Sequence, residues 1–276
     1  MKKLKCNGQA LKLDHTIIMG VLNVTPDSFY DGGMFFTPEK AIARAQQMIG
    51  EGAEIIDIGG ESSKPGSKPI SEKEELKRIL PVVKALLKER QTIVSVDSYR
   101  ESVQRKCLEL GTHIINDIYG FRSQEMLSIA REFKAACIVM HMQGKPETMQ
   151  KNPRYKNVVF EIRDFFKERI AVAEKHGIKN LIIDPGIGFG KTLEHNLQIL
   201  HNLSSFKSLG KPVLVGVSRK SFIGKIANVE AVERLPGTIA ANTLAISNGA
   251  SILRVHDVKE CKQAVLVAEA ILNTKK

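Results

Sequence analysis

The chain contains no tryptophan, and aromatic residues make up only 5% of its 276 positions. A surface that stacks bases needs more rings than that, so the formal charge of +11 does not by itself argue for a nucleic-acid partner. No uninterrupted apolar run reaches the ~18 residues of a membrane helix. The basic start, Met1-Lys-Lys-Leu-Lys-Cys6, lacks the apolar stretch of a secretory leader. Cys6, Cys107, Cys137 and Cys261 stand far apart, with no CxxC and no histidine at zinc-finger spacing, and read as reduced structural thiols. Low-complexity segments and internal repeats are absent as well. The expectation is a soluble, cytoplasmic protein without membrane or nucleic-acid partners.

What is present is alternation. Apolar, β-branched runs at residues 16–24, 54–58, 92–96, 113–115, 136–140, 180–183, 212–217 and 251–255 read as buried strands. Amphipathic patterns between and after them predict helices over 38–50, 72–90, 100–110, 123–133, 158–176, 193–203, 237–248 and 258–272. Residues 144–156 read as a surface loop. Lys73, Lys77, Lys84 and Lys88 recur at helical spacing, which accounts for part of the charge as a solvated face. Attraction of an anionic substrate is the other reading of that charge. A hydrophobic content of 43% supplies one sizeable core. Consecutive βα units with short loops predict a single-domain (β/α)8 TIM barrel over residues 1–276. A doubly wound open sheet, the alternative, needs fewer strands and a reversal of strand order.

Each predicted strand ends in chemistry. In order the ends carry Asn23; Asp57 with Glu61; Asp97; Asn116-Asp117; His141; Asp184; Ser218-Arg219-Lys220; and Arg254 with His256. Barrels of this class build their sites at the carboxyl ends of the strands, although any one of these residues also suits a helix cap. Asp97, Asn116, Asp184 and Lys220 offer acceptors and donors that match a 2-amino-pyrimidinone edge, as in a pterin or a guanine-like base. Arg254, His256, Arg219 and Lys220 follow the last two strands, where this fold usually binds phosphate. Asn23 and Asp27 supply oxygen donors suited to Mg2+. Asp184-Pro-Gly-Ile-Gly-Phe-Gly-Lys-Thr192 ends like a phosphate-binding loop, but Pro185 occupies the place of that motif's first glycine. The glycines read instead as close backbone packing beside Asp184.

Five motifs in order carry a resemblance. They are Asn23-Val-Thr-Pro-Asp-Ser-Phe29 with Asp31-Gly-Gly33, Gly59-Gly-Glu-Ser-Ser-Lys-Pro-Gly66, Asp184-Pro-Gly-Ile-Gly-Phe-Gly-Lys191, Ser218-Arg-Lys-Ser221 and Arg254-Val-His256. From about residue 17 to 257 the chain resembles the dihydropteroate synthase family of folate biosynthesis. The resemblance implies a Mg2+-dependent transferase that condenses p-aminobenzoate with (7,8-dihydropterin-6-yl)methyl diphosphate, and a homodimer. It implies that Asp97, Asn116, Asp184 and Lys220 hold the pterin with Met140 on its ring, while Arg254, Val255, His256 and Ser63 meet the diphosphate substrate. Phe29, Ser63, Pro65, Phe189 and Ser221 would line the p-aminobenzoate pocket, also the sulfonamide target, and Asn23 would carry the metal. Catalysis would fall to Asp97, Lys220, Arg254 and His256.

The second motif departs from the family's usual Glu-Ser-Thr-Arg-Pro-Gly at Ser63 and Lys64, losing a methyl group and a planar guanidinium fork. Two alternatives share parts of this pattern: a barrel passing a methyl group from methyltetrahydrofolate to a corrinoid, and a catalytically silent pterin-binding subunit. The first has no use for a diphosphate grip, and the second should have lost some of the charged groups.

Overall fold

The computed structural model describes residues 3–25, 37–62 and 66–274. The chain opens with an antiparallel hairpin that the apolar periodicity did not predict, β1 (Lys3–Cys6) and β2 (Gln9–Lys12). Its turn residues Asn7 and Gly8 have φ of 39° and 86°. Left-handed backbone at both positions is what a two-residue type I′ turn requires, and Asn-Gly provides it at low steric cost.

Parallel strands then alternate with helices. The first half runs β3 (Ile17–Asn23), α1 (Pro38–Gly50), β4 (Ile55–Gly59), α2 (Glu72–Glu89), β5 (Ile93–Asp97), α3 (Glu101–Leu110), β6 (Ile114–Asp117) and α4 (Gln124–Glu132). The second runs β7 (Ala136–Met140), α5 (Val158–Lys175), β8 (Leu181–Asp184), α6 (Leu193–His201), β9 (Leu214–Val215), α7 (Ser221–Ala227), α8 (Leu235–Ser247), β10 (Ile252–Val255) and α9 (Val258–Leu272). Strands pair in chain order from β3 to β8, β10 returns to β3, and β9 pairs with β10. The remaining seam closes through a bridge between Ile183 and Val213, where the Ile183 amide donates to the Pro212 carbonyl at 3.0 Å. A closed sheet without reversal is the (β/α)8 barrel and excludes the doubly wound alternative.

Helix starts follow the cap residues. Ser71 Oγ accepts from the Glu74 amide at the start of α2, and Thr37 precedes Pro38 at the start of α1. Three departures from expectation stand out. The seventh barrel strand shrinks to Leu214–Val215, α6 gives way to a 3-10 turn at Leu203–Leu209, and α7 is an additional short helix. Residues 144–156 are not simply a surface loop, because Met149 is buried against Ile118, Met140 and Met142, with Phe189 packed alongside.

Strand alternation divides the interior in two. Ile18, Ile56, Val94, Ile115, Val139 and Ile183 face outward into the helix-packed core. Ile17, Ile55, Ile93, Ile114, Ile138, Ile182 and Ile252 form an apolar layer inside the barrel, and Leu4, Cys6 and Leu11 of the hairpin seal it from below. Each of these large side chains contributes roughly 1.5–3 kcal/mol on burial. Two residues further along β4, β6, β8 and β10 the inward positions turn polar, as Asp57, Asn116, Asp184 and Arg254. The described cysteines are free and buried, and burial pushes the Cys6, Cys107 and Cys261 thiols up to about 12. Among the described residues no helix is long and apolar enough to cross a membrane.

Candidate active site

The polar layer follows from period-two counting along the strands. Ile55 is followed inward by Asp57, Ile114 by Asn116, Ile138 by Met140, Ile182 by Asp184, and Ile252 by Arg254 and then His256. Together with Asp97, Phe189 and Lys220 the last five line one cavity at the carboxyl ends of the strands, while Asp57 lies buried behind it. Gly216 lies beside Arg254 on the cavity wall, and a Cβ there would meet Arg254 Cβ at 3.8 Å.

Arg254 is the electrostatic centre. Its Nε donates to Asp57 Oδ2 at 2.7 Å and its Nη2 to Asp97 Oδ2 at 2.7 Å. Asn116 Nδ2 donates to the same Asp57 oxygen at 3.0 Å, so one fully buried carboxylate aligns two cavity residues. Burial works against the guanidinium charge, but Asp57 and Asp97 outweigh it and hold the Arg254 pKa above its ordinary value. Burial raises the Asp97 pKa, Arg254 pulls it back, and the charge of Asp57 raises it again. Such a buried cluster is costly to assemble and costly to break.

On the opposite wall, Asp184 Oδ1 accepts from the Gly186 amide at 2.7 Å. Burial nevertheless raises its pKa, against the pull of that amide and of Lys220. Burial also pushes the Lys220 ammonium down to about 8, with Asp184 acting the other way. Lys220 Nζ lies 4.3 Å above the Phe189 ring. Its stem passes Gly188, where a Cβ would come within 3.3 Å of Lys220 Cδ.

His256 is held by Ser218, whose Oγ lies 3.0 Å from His256 Nδ1 and accepts from the His256 amide at 3.2 Å. Arg44 Nη2 donates to the His256 carbonyl at 3.0 Å. Asn23 ends β3 in register with Gly59, which pairs in turn with Asp97. A Cβ on Gly59 would sit 3.7 Å from Asn23 Oδ1, an ordinary contact distance.

Other strand-end residues do structural work. Arg219 turns away from the basic cluster expected for it: its Nε and Nη2 pair with both oxygens of Asp257 at 2.8 and 2.8 Å. Its Nη1 reaches the carbonyls of Ala231 and Val232. Asp117 caps the turn after β6, accepting from the Tyr119 and Phe121 amides at 2.8 and 2.7 Å. Glu61 joins an anchor in which Arg100 pairs with Glu61 at 2.7 Å and with Glu75, and donates to the Ile70 carbonyl at 2.7 Å. His141 is buried beside Lys191 and does not line the cavity. Lys191 points inward and Thr192 caps α6, so the Gly-Lys-Thr ending forms no phosphate loop.

The expected site residues therefore divide. Asp97, Asn116, Met140, Asp184, Phe189, Lys220, Arg254 and His256 come together on one cavity. The Val255 side chain points the other way, into the helix-facing core, which leaves only its backbone on the site side. Ser221 opens α7 and is exposed. Phe29, Ser63 and Pro65, like Asp27, lie outside the described residues. Asp57 and Ser218 had no assigned role; the signal for Asp57 was a charge inside the apolar run Ile55-Ile-Asp-Ile58.

The family model described as pterin binding enzyme matches residues 19–256. Over 275 residues the chain is 46% identical to the dihydropteroate synthase of Escherichia coli strain K12, covering 99% of this chain and 98% of that relative. Among solved structures it is similar to the Yersinia pestis dihydropteroate synthase with a sulfonamide drug complex, with a TM-score of 0.95, 41% identity, and coverage of 99% and 100% of the two chains. The Xanthomonas albilineans dihydropteroate synthase in complex with 7,8-dihydropteroate gives a TM-score of 0.90 at 38% identity, covering 99% of this chain and 100% of that one.

Proposed function

The chain belongs to the pterin binding enzyme family, and from that premise we propose how its residues divide the work of a dihydropteroate synthase. The enzyme is a transferase that condenses p-aminobenzoate with (7,8-dihydropterin-6-yl)methyl diphosphate, giving 7,8-dihydropteroate and pyrophosphate. The methyl-transfer and silent-subunit alternatives have no comparable support. The observation that carries the division of labour is the single cavity that gathers Asp97, Asn116, Asp184, Lys220, Arg254 and His256.

Asp184 and Asp97 accept from the clustered N–H donors of the 2-amino-pyrimidinone edge. Lys220 and Asn116 donate to its carbonyl and ring nitrogens, and Met140 packs on the ring. His256 and Arg254 take the diphosphate, with Ser218 fixing the imidazole. Phe189 and Ser221 belong to the p-aminobenzoate pocket, together with Phe29, Ser63 and Pro65.

The chemistry needs no protein nucleophile. The aniline nitrogen forms a bond to the pterin methylene, the bond from that carbon to the diphosphate oxygen breaks, and the nitrogen then sheds a proton. Negative charge gathers on the leaving pyrophosphate, where Arg254 and His256 stabilise it. Positive charge gathers on the methylene, and the carboxylates of Asp97 and Asp184 stabilise it through the ring.

Among the described residues no group of three or more His, Cys, Asp or Glu side chains is arranged to hold a metal. A lone amide oxygen on Asn23 fits Mg2+, which is usually bound through substrate phosphates with few protein ligands. Bound there, Mg2+ would neutralise the departing diphosphate.

A homodimer is the assembly we favour. Leu244 on α8 and Leu266 and Ile271 on α9 are 65%, 58% and 69% exposed on helices that pack side by side. Exposed apolar groups of this kind mark association surfaces. Sedimentation of the wild type as a dimer and of a Leu244→Glu variant as a monomer is the expected outcome; a wild-type monomer would refute it.

The function is tested by pyrophosphate release from purified protein supplied with the pterin diphosphate and Mg2+. Release that requires p-aminobenzoate and yields dihydropteroate is expected. Tight pterin binding without product would refute the assignment.

A further inference from the structure

Lys191 is unusual for a lysine, being 3% exposed and with no place on the cavity surface. Its Nζ donates to the Phe189 carbonyl at 2.9 Å and the His141 carbonyl at 3.1 Å, and lies 3.1 Å from His141 Nδ1. Three acceptors match the three N–H bonds of an ammonium. Burial pushes the Lys191 pKa down to about 7 against the pull of Asp184, and burial with the adjacent Lys191 charge pushes that of His141 down to about 2. An ammonium at Lys191 pairs with a neutral His141 whose Nδ1 is unprotonated.

The two segments joined by this contact are already in backbone contact. A Cβ on Gly186 would lie 2.1 Å from the His141 carbonyl oxygen, and one on Gly190 would lie 2.4 Å from the Gln143 carbonyl oxygen. Further hydrogen bonds stitch the glycine-rich segment down from both sides. Asn196 Oδ1 accepts from the Gly188 amide at 2.7 Å, Gln150 Nε2 donates to the Gly188 carbonyl at 2.6 Å, and Tyr155 donates to the Gly190 carbonyl at 2.9 Å. Lys191 is the charged member of this set, and it grips the residue whose ring lies beneath Lys220.

We propose that Lys191 is a positioning residue for the second substrate: by clamping the Phe189 carbonyl to His141 it holds the Phe189 ring, and Gly188 beside it, at the side of Lys220. This inference rests on the synthase reading above, in which Phe189 faces p-aminobenzoate. Asp184 precedes the clamp; the Gly186 amide, Lys220 and Arg254 all act on its charge more strongly than Lys191 does, so the pterin side of the cavity depends on Lys191 less than Phe189 does.

The test is a Lys191→Met variant, which keeps the length and apolar stem and removes every donor. Its KM for p-aminobenzoate should rise at least about tenfold, the equivalent of about 1.4 kcal/mol, while Kd for the pterin diphosphate by calorimetry stays within about twofold. A merely structural lysine would lower Tm and the active fraction but leave both constants of the folded enzyme unchanged, and that result overturns the proposal. Equal loss of both substrates overturns it too. If Lys191→Met does not fold, His141→Leu removes one acceptor of the three and should show the same one-sided loss at smaller size. An inactive wild type would instead count against the synthase reading itself.

Discussion

Replacing Asp57 by asparagine changes one oxygen for nitrogen at a site with no solvent exposure. Asp57 Oδ2 accepts from Arg254 Nε and Asn116 Nδ2, so the substitution weakens two hydrogen bonds at once. A hydrogen bond to a charged partner contributes about 1.5–3 kcal/mol net. Breaking a buried ion pair by removing one partner costs about 3–5 kcal/mol. Arg254 retains Asp97 at 2.7 Å, and the asparagine keeps an oxygen acceptor, so the loss belongs at the lower end, about 3 kcal/mol. Urea denaturation monitored by circular dichroism should show that loss as a lower midpoint with an unchanged slope. Asp97 should respond as well: without the Asp57 charge its pKa falls, and Arg254 pairs with it alone. Affinity for the pterin diphosphate should drop through the loss of Asn116 and Arg254 alignment. A variant that unfolds at the wild-type urea concentration and binds at wild-type affinity would refute the reasoning, because the Asp57–Arg254–Asn116 cluster would then carry no net energy.

Lys220 works as an ammonium whose pKa burial lowers to about 8, so kcat/KM should fall as pH rises through about 8, and a Lys220→Arg variant, always charged, should lose that basic limb. A limb unchanged in the variant would assign it to another group. Gly186 and Gly210 have φ of 67° and 68°, yet a Cβ on the first would lie 2.1 Å from the His141 carbonyl oxygen and one on the second would meet nothing within 4 Å. Gly210→Ala should therefore cost only the left-handed penalty of about 1–2 kcal/mol, whereas Gly186→Ala should prevent pterin binding or folding; equal costs by urea denaturation would show that space does not decide. His15 is pulled down by burial but raised more strongly by its hydrogen bonds to Asp14 and Glu54. Its folded pKa lies above the unfolded one, so its contribution is complete below about pH 6.5 and fades as pH climbs past the folded value. The Tm deficit of His15→Gln should be larger at pH 6 than at pH 9, and a constant deficit would exclude this linkage.

Much of the architecture was legible because long buried strands and amphipathic helices announce themselves by periodicity. The same count of two, pursued past the strand ends, also separates site from scaffold. Asn116 lies inward and Asp117 outward; Arg254 and His256 lie inward and Val255 outward. Arg219, next to the inward Ser218, swings to Asp257 instead of the diphosphate side. What periodicity cannot reach is the partner of a charged group. Nothing local tells that Arg254 meets Asp57, 197 residues away, or that Lys191 folds back on His141 across 50 residues. The hairpin was missed for another reason: its strands have four residues each, too short for a pattern, although Asn7-Gly8 was a turn signal in plain view.

That hairpin bears on how the chain is made. On the ribosome its residues emerge ahead of the barrel, yet everything they dock against arrives late. Asn7 is tied to the Thr112 and Lys134 carbonyls, and the Lys5 amide to Asn180 across 175 residues. Loop closure over such spans is slow and must wait for the strands it straps together. At roughly 5–20 residues per second, the hairpin, translated before the strands it docks on, spends many seconds without a partner, with Leu4, Cys6 and Leu11 uncovered. It is synthesised before the barrel and docks after it, and until it does the lower rim of the barrel stays open to misassociation with other nascent chains.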